Sequence, residues 1–254
     1  MINAVLSELD LFETITLEEM DRVKLMDRTD LKFMFNAHQL ADMLFDVCDK
    51  YKVLKVAGMF ASRYETLYYD TPDFSFFRQH HNGKTNRYKI RLRRYVDSDQ
   101  NFFEIKQKNN KGRTVKNRVR KKDLGKTISG RTAVFLHETT GMDPAHLEPK
   151  LWVNYTRVTL VNKLIDERIT IDMDLEVKSG EGTHSFGDLV IVESKQARPV
   201  STPFIQKLKE NGIRAGGTSK YCLAVSTLIE GVKKNNFKEE IHNIDKIIND
   251  PHTA

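Results

Sequence analysis

The stretch Arg87-Tyr-Lys-Ile-Arg-Leu-Arg-Arg-Tyr95 alternates with a period of two, the period of a β-strand. Lys89, Arg91 and Arg93 then share one face, and Ile90 and Leu92 share the other. A half-buried strand ordinarily mixes small polar and charged groups on its wet face. Here every charge on that face is positive, and cations two residues apart repel unless an anion joins them. The strand reads as one wall of an anion site.

The pattern spreads outward. Thr114-Val-Lys-Asn-Arg-Val-Arg120 sets Lys116, Arg118 and Arg120 against Val115 and Val119. Phe103-Glu-Ile-Lys-Gln-Lys108 groups Glu104 with Lys106 and Lys108. Tyr155 shares a face with Arg157, Arg168 with Asp172 and Asp174, and Ile191 with Glu193 and Lys195. A solvated sheet face is the plain alternative. Such a face usually interleaves opposite charges, because like neighbours cost a few tenths to about 1 kcal/mol each. If the sheet closes into a barrel, its interior is a cationic channel whose low-dielectric walls focus the field on an anion. Carboxylates at positions such as Glu193 suit Mg²⁺ or Mn²⁺, which bind through a few carboxylates plus substrate phosphates. For Asp172 and Asp174, pairing with nearby Lys and Arg is the preferred reading.

Elements follow from the same patterning. Thr16-Leu-Glu-Glu19 is a capping box, and Asn36 opens a helix with Leu40, Leu44, Val47 and Tyr51 at helical spacing. Strands are expected at 30–36, 63–70, 88–95, 101–108, 114–120, 151–161, 168–177 and 189–196, with a hairpin turn at Asn109–Gly112. Helices are expected at 131–140, from Pro203 to Gly212, and from Ser219 to about Ile229. Many strands without a βαβ rhythm predict an α+β fold with a large antiparallel sheet. Residues 1–232 read as one domain and 233–254 as a helical tail, with Phe237, Ile241, Ile244 and Ile248 at helical spacing.

The chain has 254 residues, 39% hydrophobic and 30% charged, with a formal charge of +6. That composition is globular and favours acidic partners. Two cysteines, Cys48 and Cys222, exclude a disulfide scaffold, and no segment reaches the roughly 18 apolar residues of a membrane span. A soluble cytoplasmic protein is expected. Familiar motifs fail: Gly83-Lys-Thr85 and Gly125-Lys-Thr127 lack the earlier P-loop glycine, where Arg78 and Arg120 stand. His137-Glu138 lacks a second histidine, His80-His81 reads as surface, and no cysteine has a histidine near it in sequence.

Tyr88-Lys-Ile-Arg-Leu-Arg-Arg, Phe103-Glu-Ile-Lys, Thr114-Val-Lys-Asn-Arg, Tyr155-Thr-Arg157, Asp166-Glu-Arg168-Ile, Val192-Glu-Ser-Lys195 and Ser219-Lys-Tyr221 occur in one order. In that order the chain, from about Asp21 to Leu228, resembles VTC domains, the polyphosphate polymerase domains of the vacuolar transporter chaperone. These belong to the triphosphate tunnel metalloenzyme (CYTH-like) superfamily. The resemblance implies a closed antiparallel β-barrel, the triphosphate tunnel, with flanking helices. It implies metal-dependent transfer of the ATP γ-phosphate onto a growing inorganic polyphosphate chain, with Mn²⁺ or Mg²⁺ as cofactor. Arg91, Arg93, Lys106, Arg157 and Arg168 would carry the catalytic charge, and Lys32 and Lys116 would hold further phosphates. Tyr155 would hydrogen-bond a phosphate, Ser219 and Lys220 would meet one at a helix N-terminus, and Glu193 would hold the metal. Lys89 and Lys195 join the substrate contacts through the faces they share.

Departures temper the match. Gly217-Thr218 stand where another lysine often precedes Ser219-Lys220, Asp30 replaces a longer carboxylate, and Asp30-Leu-Lys32 keeps only the end of the hydrolases' acid-x-acid-x-Lys signature. The alternatives are a tripolyphosphate or nucleoside triphosphate hydrolase and a non-catalytic polyphosphate-binding module. Nucleic acid is disfavoured, because Ile, Leu and Val rather than stacking aromatics interleave the cations.

Overall fold

The computed structural model describes residues 2–22, 29–111 and 113–249. Gly112 of the expected turn and residues 250–254 of the expected tail lie outside the described residues. The strands are β1 (Glu13–Ile15), β2 (Thr29–Asn36), β3 (Tyr51–Leu54), β4 (Ala61–Asp70), β5 (Arg87–Tyr95), β6 (Gln100–Lys108), β7 (Thr114–Lys121), β8 (Glu148–Asn162), β9 (Glu167–Ser179), β10 (Gly182–Ser185) and β11 (Leu189–Gln196). The helices are α1 (Ile2–Leu9), α2 (Leu17–Arg22), α3 (Leu40–Val47), α4 (Ser75–His81), α5 (Arg131–Thr140), α6 (Pro203–Glu210), α7 (Lys220–Leu228) and α8 (Lys238–Asn249).

One sheet runs in the order β2-β11-β9-β8-β4-β5-β6-β7, antiparallel at every step. Short β1 and β3 pair with each other, β3 extends from β8, and β10 folds back on β9. The expected closed barrel is corrected here: β2 and β7 end the order, and among the described residues no hydrogen-bonded ladder joins them. The outer edge of β2 is already used. Phe33 bridges to Ala215, and Gly216 N donates to Lys32 O at 2.8 Å. On β7 the exposed cations guard a bare edge, a common defence against further pairing.

Alternation sorts the residues into two faces. On the outward face, Phe33, Phe35, Ile169, Ile171, Val190 and Val192 pack against α1, α3 and α6. Further along, Leu67, Ile90, Leu92, Phe103 and Ile105 pack with Leu136 of α5. The inward face is divided. Its lower part is apolar, with Tyr68, Val153, Tyr155, Val177 and Ile191 packed on α7 and on Ile244 and Ile247 of α8. Its upper part carries the cations. The tail is thereby docked into the core, and among the described residues no helix is long and apolar enough to cross a membrane.

Local chemistry explains the boundaries. Thr16 N donates to Glu19 Oε2 at 2.8 Å and Glu19 N returns a bond to Thr16 Oγ1 at 3.3 Å, the expected capping box. Asn36 caps as expected through its Oδ1, which accepts from His38 N at 3.2 Å. Tyr51 does not continue that helix. It starts β3, where its hydroxyl donates to the buried Glu167 Oε2 at 2.7 Å. Asp174 does not share Asp172's face. A β-bulge sets Asp174 and Leu175 against Tyr155 alone, and Asp174 turns outward at φ 52°.

Candidate phosphate-binding site

Register places each inward side chain. Lys106 stands opposite Lys89 on one side and Lys116 on the other, and Arg91 stands between Tyr68 and Glu104. Glu104 is 1% exposed. Its Oε2 lies 2.7 Å from Arg91 Nη2 and 3.8 Å from Arg93 Nη1, and its Oε1 lies 2.6 Å from Lys116 Nζ. Burial alone would raise its pKa, but Arg91, Arg93 and Lys116 outweigh it and hold the carboxyl well below the usual range. Its partners are therefore the cross-strand cations rather than Lys106 and Lys108 of its own strand.

The far side of the face repeats the arrangement. Asp172, also buried, takes Arg157 in a two-pronged contact of 2.5 and 2.7 Å and Lys220 Nζ at 2.6 Å. Burial is again outweighed, here by Arg157 and Lys220, so the carboxylate stays ionised. Glu193 pairs with Lys195 at 2.5 Å, and Lys195, Lys32 and Arg157 keep it ionised against burial. Tyr155 stacks on Tyr64 at 5.1 Å, and the Arg157 guanidinium lies 5.1 Å from both rings. Arg168 is half-buried opposite Lys195 in the β9–β11 register.

A loop draws the two sides together. Lys32 Nζ donates to Thr218 O at 2.6 Å, and Lys89 Nζ donates to Ser219 Oγ at 2.8 Å. β2 and β5 are five steps apart in the sheet, about 24 Å if it were flat. Two lysines from those strands can reach neighbouring residues only if the sheet curls strongly around the cations. Ser219 also caps α7, its Oγ accepting from Cys222 N at 3.4 Å, so the helix N-terminus faces the same space.

The crowding shows in the lysines. Burial first, then Lys32 and Lys106, pushes Lys89 down to about 7 despite a raising influence from Cys222. Lys195 falls to about 8, mainly through burial, and Lys116, whose side chain stays 39% exposed, falls to about 8 through partial desolvation, while Glu193 and Glu104 respectively pull them back up. Lys106 is lowered by burial although Glu193, from the far side of the curl, raises it. An anion entering here would return these lysines toward full charge. The bare solvated-face alternative does not fit a surface on which Arg93 is 6% exposed.

The site brings together Lys32, Lys89, Arg91, Arg93, Lys106, Lys116, Tyr155, Arg157, Glu193, Lys195, Ser219 and Lys220. Sequence reading missed the holding role of Glu104, because cross-strand partners are invisible along one chain. It also missed Asp70, whose buried carboxylate accepts from Phe76 N, Phe77 N and Tyr221 OH and so ties α4 to α7. The surface reading of His80-His81 is corrected. His81 is buried and bonded to Asn235 and Asn236, and His80 Nδ1 lies 3.0 Å from Cys222 Sγ. Burial pushes that thiol up, and burial with Lys89 pushes His80 down to about 3, so the pair is neutral and offers no nucleophile. Among the described residues no three His, Cys, Asp or Glu side chains form a protein-only metal cage.

The model of the VTC domain matches residues 27–229. The chain belongs to the VTC domain family. No curated protein sequence matches it significantly. Among solved structures it is similar to a Hippeastrum protein described as a candidate adenylyl cyclase with a dominant triphosphatase activity. That likeness has 14% identity and a TM-score of 0.53, covering 80% of this chain and 97% of the other. A Bacillus halodurans protein described as a candidate adenylate cyclase matches at 13% identity and a TM-score of 0.50, covering 76% and 96%. At such identities the likeness establishes the shared fold of this VTC-family chain.

Proposed function

We propose that this VTC-family protein is a metal-dependent polyphosphate polymerase that transfers the γ-phosphate of ATP onto a growing inorganic polyphosphate chain. The observation that carries this reading is the convergence of Lys32, Lys89, Arg91 and Lys106, from strands at both ends of the sheet, on one sheltered space. Phosphoryl transfer asks little covalent chemistry of a protein; alignment of two polyanions and neutralisation of charge on the moving group supply most of the rate. Arg91, Arg93, Arg157 and Lys220 are suited to that task. Glu104 and Asp172 hold them in position. The terminal oxygen of the acceptor chain attacks the γ-phosphorus in line, and ADP leaves.

Glu193 is an ionised carboxylate beside this space, and a single carboxylate fits Mg²⁺ or Mn²⁺ that takes its other ligands from phosphates and water. When bound, such an ion would neutralise charge on the phosphate oxygens. The localisation we infer remains cytoplasmic.

A second reading, hydrolysis of tripolyphosphate or nucleoside triphosphates, draws on the triphosphatase activity described for the Hippeastrum protein. Water would then replace the acceptor chain. The deciding experiment incubates purified protein with ATP and Mn²⁺ or Mg²⁺ and sizes the products on a gel. Long chains with stoichiometric ADP support the polymerase; ADP and orthophosphate alone overturn it in favour of the hydrolase.

A further inference from the structure

Strand β7 carries more positive charge than the sheltered site uses. Lys116 is tied to Glu104, but Arg118 and Arg120, on the same face, are exposed and form no ion pair among the described residues. Register puts Arg118 opposite Glu104 and Arg120 opposite Phe102. Both oxygens of Glu104 are already engaged, by Arg91 and Lys116, so Arg118 instead lies over the Phe102 ring at 4.6 Å. The two arginines therefore continue the rows of Arg91 and Arg93 onto the exposed edge strand, with no carboxylate paired to them among the described residues.

We propose that the inward face of β7, through Arg118 and Arg120, is a track for the part of a long polyphosphate chain that extends beyond the sheltered site. This rests on the phosphate-binding reading of that site and adds a chain-length preference to it. A linear polyanion fits the observations. The arginines run in line along one strand, the row is continuous with the enclosed cations, and arginine's planar fork suits phosphate oxygens. Single-stranded nucleic acid would want exposed rings for its bases. The alternating residues on β7 are Val115, Asn117 and Val119, and the nearby Phe102 is already covered by Arg118.

The test compares the wild-type protein with the double variant Arg118→Gln/Arg120→Gln, measuring binding of inorganic tripolyphosphate, long-chain polyphosphate and an oligo-dT strand across a salt series. The expected result is long-chain affinity lowered about tenfold, with a log–log salt slope smaller by roughly one to two, and tripolyphosphate affinity within about twofold of wild type. Unchanged tripolyphosphate binding also certifies the fold, and Arg118→Lys/Arg120→Lys should recover most of the long-chain affinity. Equal losses for both phosphates would place the arginines in the short-chain site and overturn the track. So would no loss for either, or a loss confined to oligo-dT. If wild type binds long chains no tighter than tripolyphosphate, the track fails while the site stands. If wild type binds neither phosphate, the phosphate-binding reading itself falls.

Discussion

Two parts of the sheet bury carboxylates, and they do so in opposite ways. Glu167, 2% exposed, is surrounded by neutral donors: Tyr51 OH, Asn162 Nδ2, Ser194 Oγ, Gln196 Nε2 and Thr202 Oγ1. Those donors come from β3, β8, β11 and the start of α6, so the carboxylate fastens four segments together. Glu104 and Asp172, equally buried, are held by arginine and lysine alone. Neutral hydroxyl and amide donors gain less from an incoming phosphate than cations do. Guanidinium and ammonium groups can exchange a carboxylate for a polyanion. The first arrangement is architecture; the second keeps cations together that a polyanion could share.

The sharpest way to break this contrast is Glu167→Ala. Leaving the donors unanswered should cost about 3–5 kcal/mol in denaturant unfolding, while the folded fraction binds tripolyphosphate normally. Arg157→Ala should lower binding as well as stability, because Asp172 then keeps only Lys220. We expect tripolyphosphate affinity to fall roughly 30-fold, about 2 kcal/mol, as for a lost charge-assisted contact, by calorimetry. A Glu167 variant that folds normally, or an Arg157 variant that binds normally, would erase the distinction.

Metal dependence sharpens it further. Glu193→Gln should abolish the stimulation of turnover by Mn²⁺ or Mg²⁺ while leaving metal-free tripolyphosphate binding intact or tighter; retained metal stimulation would remove Glu193 from that role.

The lysines give a pH signature. Lys89 near 7 and Lys116 and Lys195 near 8 are partly neutral at mildly alkaline pH, and an anion must recharge them. Tripolyphosphate binding should therefore take up protons and weaken from pH 7 to 9, seen as calorimetric heats that depend on buffer ionisation. Stability runs the other way. In unfolded chains these lysines titrate near 10.4, so between about pH 7 and 10 the unfolded state holds more protons, and the phosphate-free protein should gain stability as pH rises. The smallest effect is at the bulge. Asp174→Gly should relieve the positive φ, stabilise by up to about 1 kcal/mol and leave phosphate binding unchanged.

Much of the fold was legible because strand alternation here is strong. The strand read at 189–196 coincides with Leu189–Gln196, and the other principal strands differ by a few residues at their ends. Helix α4 was missed because Thr71-Pro72 marks a break and Ser75–His81 is short; its start is fixed by Asp70 and Thr71, which lie ahead of that break and outside the usual cap position. The inward cations were legible as a face. Their holders were not: Asp172 and Asp174 look equivalent in a period of two, and only the bulge opposite Tyr155 sends one inward and the other out. Closure was over-read, since nothing in β2 announces that residues 215–216 will occupy its edge.

That borrowed edge has a mechanical consequence. A barrel sealed by a ladder is a hoop, whose girth is fixed by backbone bonds that its contents cannot touch. Here the span from β2 to β5 is buckled instead, by Lys32 on Thr218 and Lys89 on Ser219. The tongue of the buckle is made of the same ammonium groups that a phosphate would recruit. On the β2 side the backbone bonds from Ala215 and Gly216 share the hold, so an anion that recruited Lys89 would slacken the strap at its β5 end alone.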